Sequence, residues 1–140
     1  MFDNSHIDDA IAWRHDLHRH PELGFEEHRT SDMIAGLLTE WGWRVHRGLA
    51  GTGVVAQLGQ GAPVIGLRAD IDALPMDEAT GLPYASATPG KMHACGHDGH
   101  TAMLLGAAKY LSETRNCSGR GALLFQPAEE FGGGGEVMVK

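Results

Sequence analysis

The segment His93-Ala94-Cys95-Gly96-His97-Asp98 sets a thiol and an imidazole two residues apart, and about thirty residues later the chain carries adjacent carboxylates, Glu129 and Glu130. Thiolate, imidazole and carboxylate are the side chains that hold a catalytic transition metal. A second carboxylate beside a ligand supplies a base for a metal-bound water. The chemistry these types point to is metal-assisted hydrolysis. Neighbouring residues of an extended segment face opposite ways, so one glutamate can face a metal while the other faces the water. From an extended turn Cys95 and His97 can reach one cation or a closely spaced pair, with the first amides of a following helix helping to hold the thiolate. The plainer alternatives are a buried cysteine beside a hydrogen-bonded histidine, and two solvated acids. The combination argues against both, because paired acids at a sheet edge repel unless a cation neutralises one.

Asp70 and Asp72 follow an apolar run, and Asp98 follows His97. Each either caps or turns the chain, or acts from outside the ligand set to orient an imidazole or hold backbone. His15, His18 and His20 resemble a metal cluster in composition, but His15 and His18 are expected one turn apart on a helix surface without a well-spaced carboxylate. They are read as structural. Gly132 to Gly135 has no following Lys-Ser/Thr, so a phosphate loop is a weak reading and a flexible run is expected.

These residues need elements to position them. An opening helix is expected with Ser5 and Asp8 as its capping box, helical spacing through Ile7, Ile11, Arg14 and Leu17-His18, and Pro21 as its interruption. A second runs from about Glu26 to Trp41, with Met33, Ile34, Leu37, Leu38 and Trp41 as its stripe and Gly42 as its stop. Strand patterns cover 43–46 weakly, then 53–58 and 64–69, with a tight connection over 59–63. After a Pro/Gly-rich loop over 79–90, a third helix spans about Gly99 to Glu113, burying Met103, Leu104, Ala107, Ala108 and Leu111. Gly121 to Phe125 reads as a short buried strand ended by Pro127. Alternating helices and apolar strands make an α/β layered fold, helices around a mixed sheet. The acids, the Cys-Gly-His segment and the glutamate pair then all fall at the carboxyl edge of the strands, where such folds bind ligands.

Composition narrows the partners. With 140 residues, 42% hydrophobic and 21% charged, the chain has the make-up of one globular domain rather than a disordered or fibrous one. A net charge of −7 with no basic cluster disfavours nucleic acid. No apolar run approaches a membrane span. The start carries acids where a signal peptide needs a basic then apolar run, and two cysteines do not make a disulfide framework, so the expected location is cytoplasmic.

Arg14 to Glu27, Leu67 to Pro75, Met92 to Thr101 and Phe125 to Glu130 together resemble, in order, the amidohydrolase branch of the dinuclear metallo-aminoacylase and carboxypeptidase family. That branch includes hippurate hydrolases, N-acyl-amino-acid amidohydrolases and auxin-conjugate hydrolases. The resemblance implies a zinc-exopeptidase-like catalytic domain and two divalent metal ions, zinc or manganese, with cobalt or nickel also possible. It implies that Cys95 bridges the ions, that His97 and Glu130 are further ligands, and that Glu129 is the general base that later protonates the leaving amine. It implies a small N-acyl amino acid as substrate and a homodimeric parent. Relatives of this kind are longer, with an inserted lid and dimerisation domain and two further histidine ligands. Residues 1–140 are therefore expected to be the N-terminal portion of the catalytic domain, binding metal weakly and giving little amidase activity alone. A metal-binding or interaction module without catalysis, or a structural remnant, are the other expectations.

Overall fold

The computed structural model describes residues 1, 3–115 and 117–140. The elements are α1 (Asn4–Arg19), α2 (His28–Glu40), β1 (Arg44–Leu49), β2 (Gly53–Gly59), β3 (Val64–Asp70), α3 (His97–Thr114), β4 (Arg120–Gln126) and α4 (Gly134–Val139). The sheet is mixed, as expected, with strand order β1-β2-β4-β3. β4 runs antiparallel to β2 and parallel to β3. The short 60–63 link thus joins strands that flank β4 rather than each other. The parallel β3–β4 pair needs a long crossover, and α3 supplies it.

Alternation in the inner strands builds the core. Val54, Ala56 and Leu58 of β2 and Leu123 and Phe125 of β4 meet Ile34, Ala35 and Leu38 of α2 and Leu104, Leu105 and Ala108 of α3. Each large apolar side chain buried this way contributes about 1.5–3 kcal/mol. β3, at the edge opposite β1, leaves Val64, Ile65 and Leu67 exposed. Among the described residues no helix is long and apolar enough to cross a membrane.

Three local expectations are corrected. The first helix is capped by Asp3, not Ser5: its carboxylate accepts the Ser5 amide at 2.9 Å while its own N–H donates to His6 Nδ1. Ile7 and Ile11 stay exposed, and so does Met103, at 65%. With Ala107 they line an open groove between α1 and α3, which approach each other at Ala10 and Gly106, while α3 turns Leu105 and Ala108 to the core. The glycine run is not loose chain. A Cβ on Gly134 would lie 1.8 Å from the Pro127 carbonyl oxygen, and one on Gly132 2.5 Å from the Phe25 ring. α4 begins inside the run.

Candidate metal centre

β3 and β4 end side by side, Asp70 opposite Gln126, and the Ile71 amide extends the ladder by donating to the Gln126 carbonyl at 3.0 Å. Parallel pairing therefore delivers residues 70–72 and 127–130 to one edge. α3 starts at the same edge with His97 in its first turn. Gly96 before it is left-handed (φ 85°), a conformation costly for residues with a Cβ, and it lets the chain turn between Cys95 and His97.

His97 is 5% exposed. Its Nδ1 lies 2.9 Å from the Asp72 carbonyl and 3.2 Å from Asp72 Oδ1. Both neighbours are oxygens, so Nδ1 carries a hydrogen, and Nε2 is the atom left to bind a cation. Nε2 sits 3.6 Å from Glu130 Oε1, 3.8 Å from Glu129 Oε2 and 3.6 Å from Asp70 Oδ1. These separations are long for hydrogen bonds but suit donors sharing one ion. A histidine whose other nitrogen is fixed by carboxylate and carbonyl is the usual arrangement at metal sites. Burial disfavours charge on His97, but Asp72 and Asp70 outweigh it and raise the imidazole to about 9. The Cys95 thiol is exposed and donates to Glu130. That bond, burial, and the nearby Glu130, Glu129 and Asp72 charges push it up to about 11. The thiolate help expected from the α3 amides is thus outweighed by carboxylates. His97, Glu129 and Glu130 offer one nitrogen and two carboxylate donors within 4.8 Å of one another, a set that fits a divalent transition metal; Cys95, beside Glu130, is not among the donors brought that close.

The glutamate pair rides on a turn held by two buried carboxylates. Asp72 Oδ2 accepts the Glu130 amide at 2.9 Å. Glu27, fully buried, accepts the Ala128 amide at 2.9 Å and the Thr52 hydroxyl at 2.6 Å. Ala128 is itself left-handed (φ 50°), and Gly24, Gly132 and Gly134 crowd around it. Asp72 is thereby bonded to both His97 and the glutamate turn, and these bonds overcome burial to keep its carboxyl below the usual range.

The remaining candidates face elsewhere. Asp98 does not orient His97. Its Oδ2 takes His18 Nδ1 at 2.7 Å and Arg14 Nε at 2.9 Å, because the next position on a helix points away from the last. His18 is not on a helix surface, as expected, but buried between Asp98 and Glu78, the latter at 3.0 Å. His15 stacks on Tyr84, and His20 binds the Asp16 carbonyl. Asp70 turns to His100, Oδ1 to Nδ1 at 2.7 Å. His93 is buried, and burial lowers it to about 4. Glu27 was not singled out from sequence, yet it is spaced with Ser31, Ile34 and Leu38 on the inner stripe of α2. An acid on such a stripe was the available signal.

An α/β domain presenting thiol, imidazole and paired carboxylates at the ends of parallel strands has known counterparts. Residues 66–140 match the model of peptidase family M20/M25/M40, and the chain belongs to this family. It is 51% identical over 129 residues to a hippurate hydrolase of Campylobacter jejuni, covering 91% of this chain and 33% of that one. It is 48% identical over 136 residues to an N-acyl-L-amino acid amidohydrolase of Geobacillus stearothermophilus, covering 94% and 37%. The fold matches a Bacillus subtilis dinuclear metal-binding peptidase of the M20 family with a TM-score of 0.91 at 42% identity, over 98% of this chain and 39% of that one. The chain spans about a third of the length of the curated relatives it matches.

Proposed function

We propose that these 140 residues form the N-terminal metal-binding part of an enzyme that hydrolyses the amide bond of small N-acyl amino acids, hippurate-like substrates among them. The carrying observation is His97, with Nδ1 fixed on Asp72 and Nε2 directed among Glu129, Glu130 and Asp70 without a hydrogen-bond partner among the described residues. The activities named for the relatives support the substrate class, and the dinuclear metal binding of the Bacillus subtilis neighbour supports two divalent ions. In this reading Cys95, His97 and Glu130 would hold the metal. Bound zinc or manganese would polarise the scissile carbonyl and acidify water. Asp72 fixes the His97 tautomer and, through the Glu130 amide, the attitude of the glutamate pair. Glu129, the more exposed of the pair, takes the proton from the attacking water on a carboxylate oxygen. It later returns that proton to the nitrogen of the leaving amine, so that water and amide become carboxylate and amine. The chain alone is expected to give little or no turnover.

The test is Glu129→Ala in the longer parent protein. Loss of a general base lowers kcat by about 10²–10⁴-fold, and elemental analysis should find metal content unchanged. Turnover close to the unmodified enzyme, or loss of metal along with activity, would remove Glu129 from this role.

A further inference from the structure

His97 Nε2 stands between two groups of donors. On one side lie Glu129 and Glu130, with Cys95 beside Glu130. On the other, Asp70 Oδ1 lies 3.6 Å from His97 Nε2 and 2.7 Å from His100 Nδ1. His97 and His100 are one helical turn apart on α3, so their rings share a face, with centroids 5.6 Å apart. Donor atoms of Asp70, His97 and His100 all lie within 4.8 Å of one another. Two donors held about 2.0–2.2 Å from one ion stand about 3–3.5 Å apart, so a modest ring movement would close this set around a cation. Arg68 approaches the other Asp70 oxygen, Oδ2, at 3.5 Å and leaves Oδ1 to the imidazoles.

We propose that Asp70, His97 and His100 form a further, sulfur-free cation position, separate from the two-ion centre assigned to Cys95, His97 and Glu130 and suited to a harder divalent ion such as manganese. The proposal rests on the reading that this edge binds divalent metal, and it makes Asp70 a ligand where it was expected only to orient one. Nε2 has a single lone pair, so His97 can serve one position at a time and an ion on either side competes for it. Oxygen and nitrogen donors favour manganese, whereas the thiolate side favours zinc or cobalt. His100 is half exposed and outside the core, so its replacement leaves the fold intact.

The metal-free 140-residue chain is titrated with Mn²⁺, read from the paramagnetic resonance signal of the free ion. In parallel it is titrated with Co²⁺, read from the near-ultraviolet thiolate-to-cobalt charge-transfer band. His100→Ala and Asp70→Asn should each weaken Mn²⁺ binding by about tenfold or more, the loss expected when a ligand or its support is removed. Both should keep the cobalt–thiolate band, which also reports that the edge is folded. Cys95→Ser should abolish the band and leave Mn²⁺ binding nearly unchanged. Equal loss of Mn²⁺ binding in Cys95→Ser and His100→Ala would mean a single site and overturn the proposal. So would unaltered Mn²⁺ binding in His100→Ala, or none in the unmodified chain. Absence of the cobalt band in the unmodified chain would instead strike the Cys95 reading, with Mn²⁺ binding still judging the second position.

Discussion

Glu27 offers a sharp test of how the glutamate turn is held. It has no exposed surface, and its two oxygens take the Ala128 amide and the Thr52 hydroxyl. Glu27→Ala strands both donors in the interior, at about 1–3 kcal/mol each. The emptied volume adds roughly 1 kcal/mol more. A loss of about 3–7 kcal/mol follows, from a stability of roughly 7–15 kcal/mol for a domain of this size. Glu27→Gln strands less: the amide oxygen can accept from Ala128 and the amide nitrogen can donate to Thr52 Oγ1, so that the Thr52 hydroxyl hydrogen loses its acceptor while Ala128 keeps its own. It should lose about 1–3 kcal/mol, clearly less than Glu27→Ala. The comparison also has a pH dependence of definite sign. Burial raises the Glu27 carboxyl above 4.5, against the opposing bonds from Thr52 and Ala128. A group whose pKa is raised by folding holds its proton more tightly when folded. Its stabilising effect is complete below the unfolded value and lost as pH rises through the folded one. Glutamine does not titrate, so Glu27→Gln should gain on the natural chain as pH climbs through that window. Urea unfolding followed by tryptophan fluorescence at several pH values measures all three chains. At about 3–4 °C per kcal/mol, Glu27→Ala should also melt roughly 10–30 °C lower. If Glu27→Ala melts with the natural chain, or Glu27→Gln falls as far as Glu27→Ala, the turn is not held as described.

Gly134→Ala sets a Cβ 1.8 Å from the Pro127 carbonyl oxygen, and should cost at least about 2–3 kcal/mol by calorimetry. Gly36→Ala, on α2 with nothing within 4 Å of the added carbon, should gain about 0.5–1 kcal/mol in the same scans; a loss there would mean the helix is packed differently. Burial acts to raise Glu78, but bonds from Thr80, the Ser86 amide and His18 prevail and hold it at about 2. A depressed carboxyl stabilises above its unfolded pKa and loses that effect as pH falls through the folded one. Acid unfolding between about pH 5 and 2 should therefore be shallower in Glu78→Gln than in the natural chain, and parallel curves would contradict the assignment.

What spacing along the chain conveys is which residues share a face of one element; what it leaves open is which neighbour that face meets. The second helix stripe, the strand at 64–69 and the edge shared by residues 70–72, 95–97 and 129–130 follow from period and from the α/β alternation, so they were legible. Met103 and Leu105 are both apolar residues of one helix, and only the packed partner decides that Leu105 is buried and Met103 exposed. Asp98 looked like a companion of His97 because it is adjacent, yet a helix turns it towards His18 and Arg14. Asp72, two residues beyond Asp70, is the acid that reaches His97 Nδ1, and a strand end gives no hint which acid meets which imidazole. The glycines at 132 and 134 read as slack because composition reports freedom of the unfolded chain, not crowding in the folded one. Their crowding against Phe25 and Pro127 has a chemical consequence. A turn packed that tightly, with its amides bonded to Glu27 and Asp72, cannot swing the glutamates away from His97 without breaking buried hydrogen bonds. The cost of assembling three carboxylates beside one imidazole is therefore met during folding, before any cation arrives.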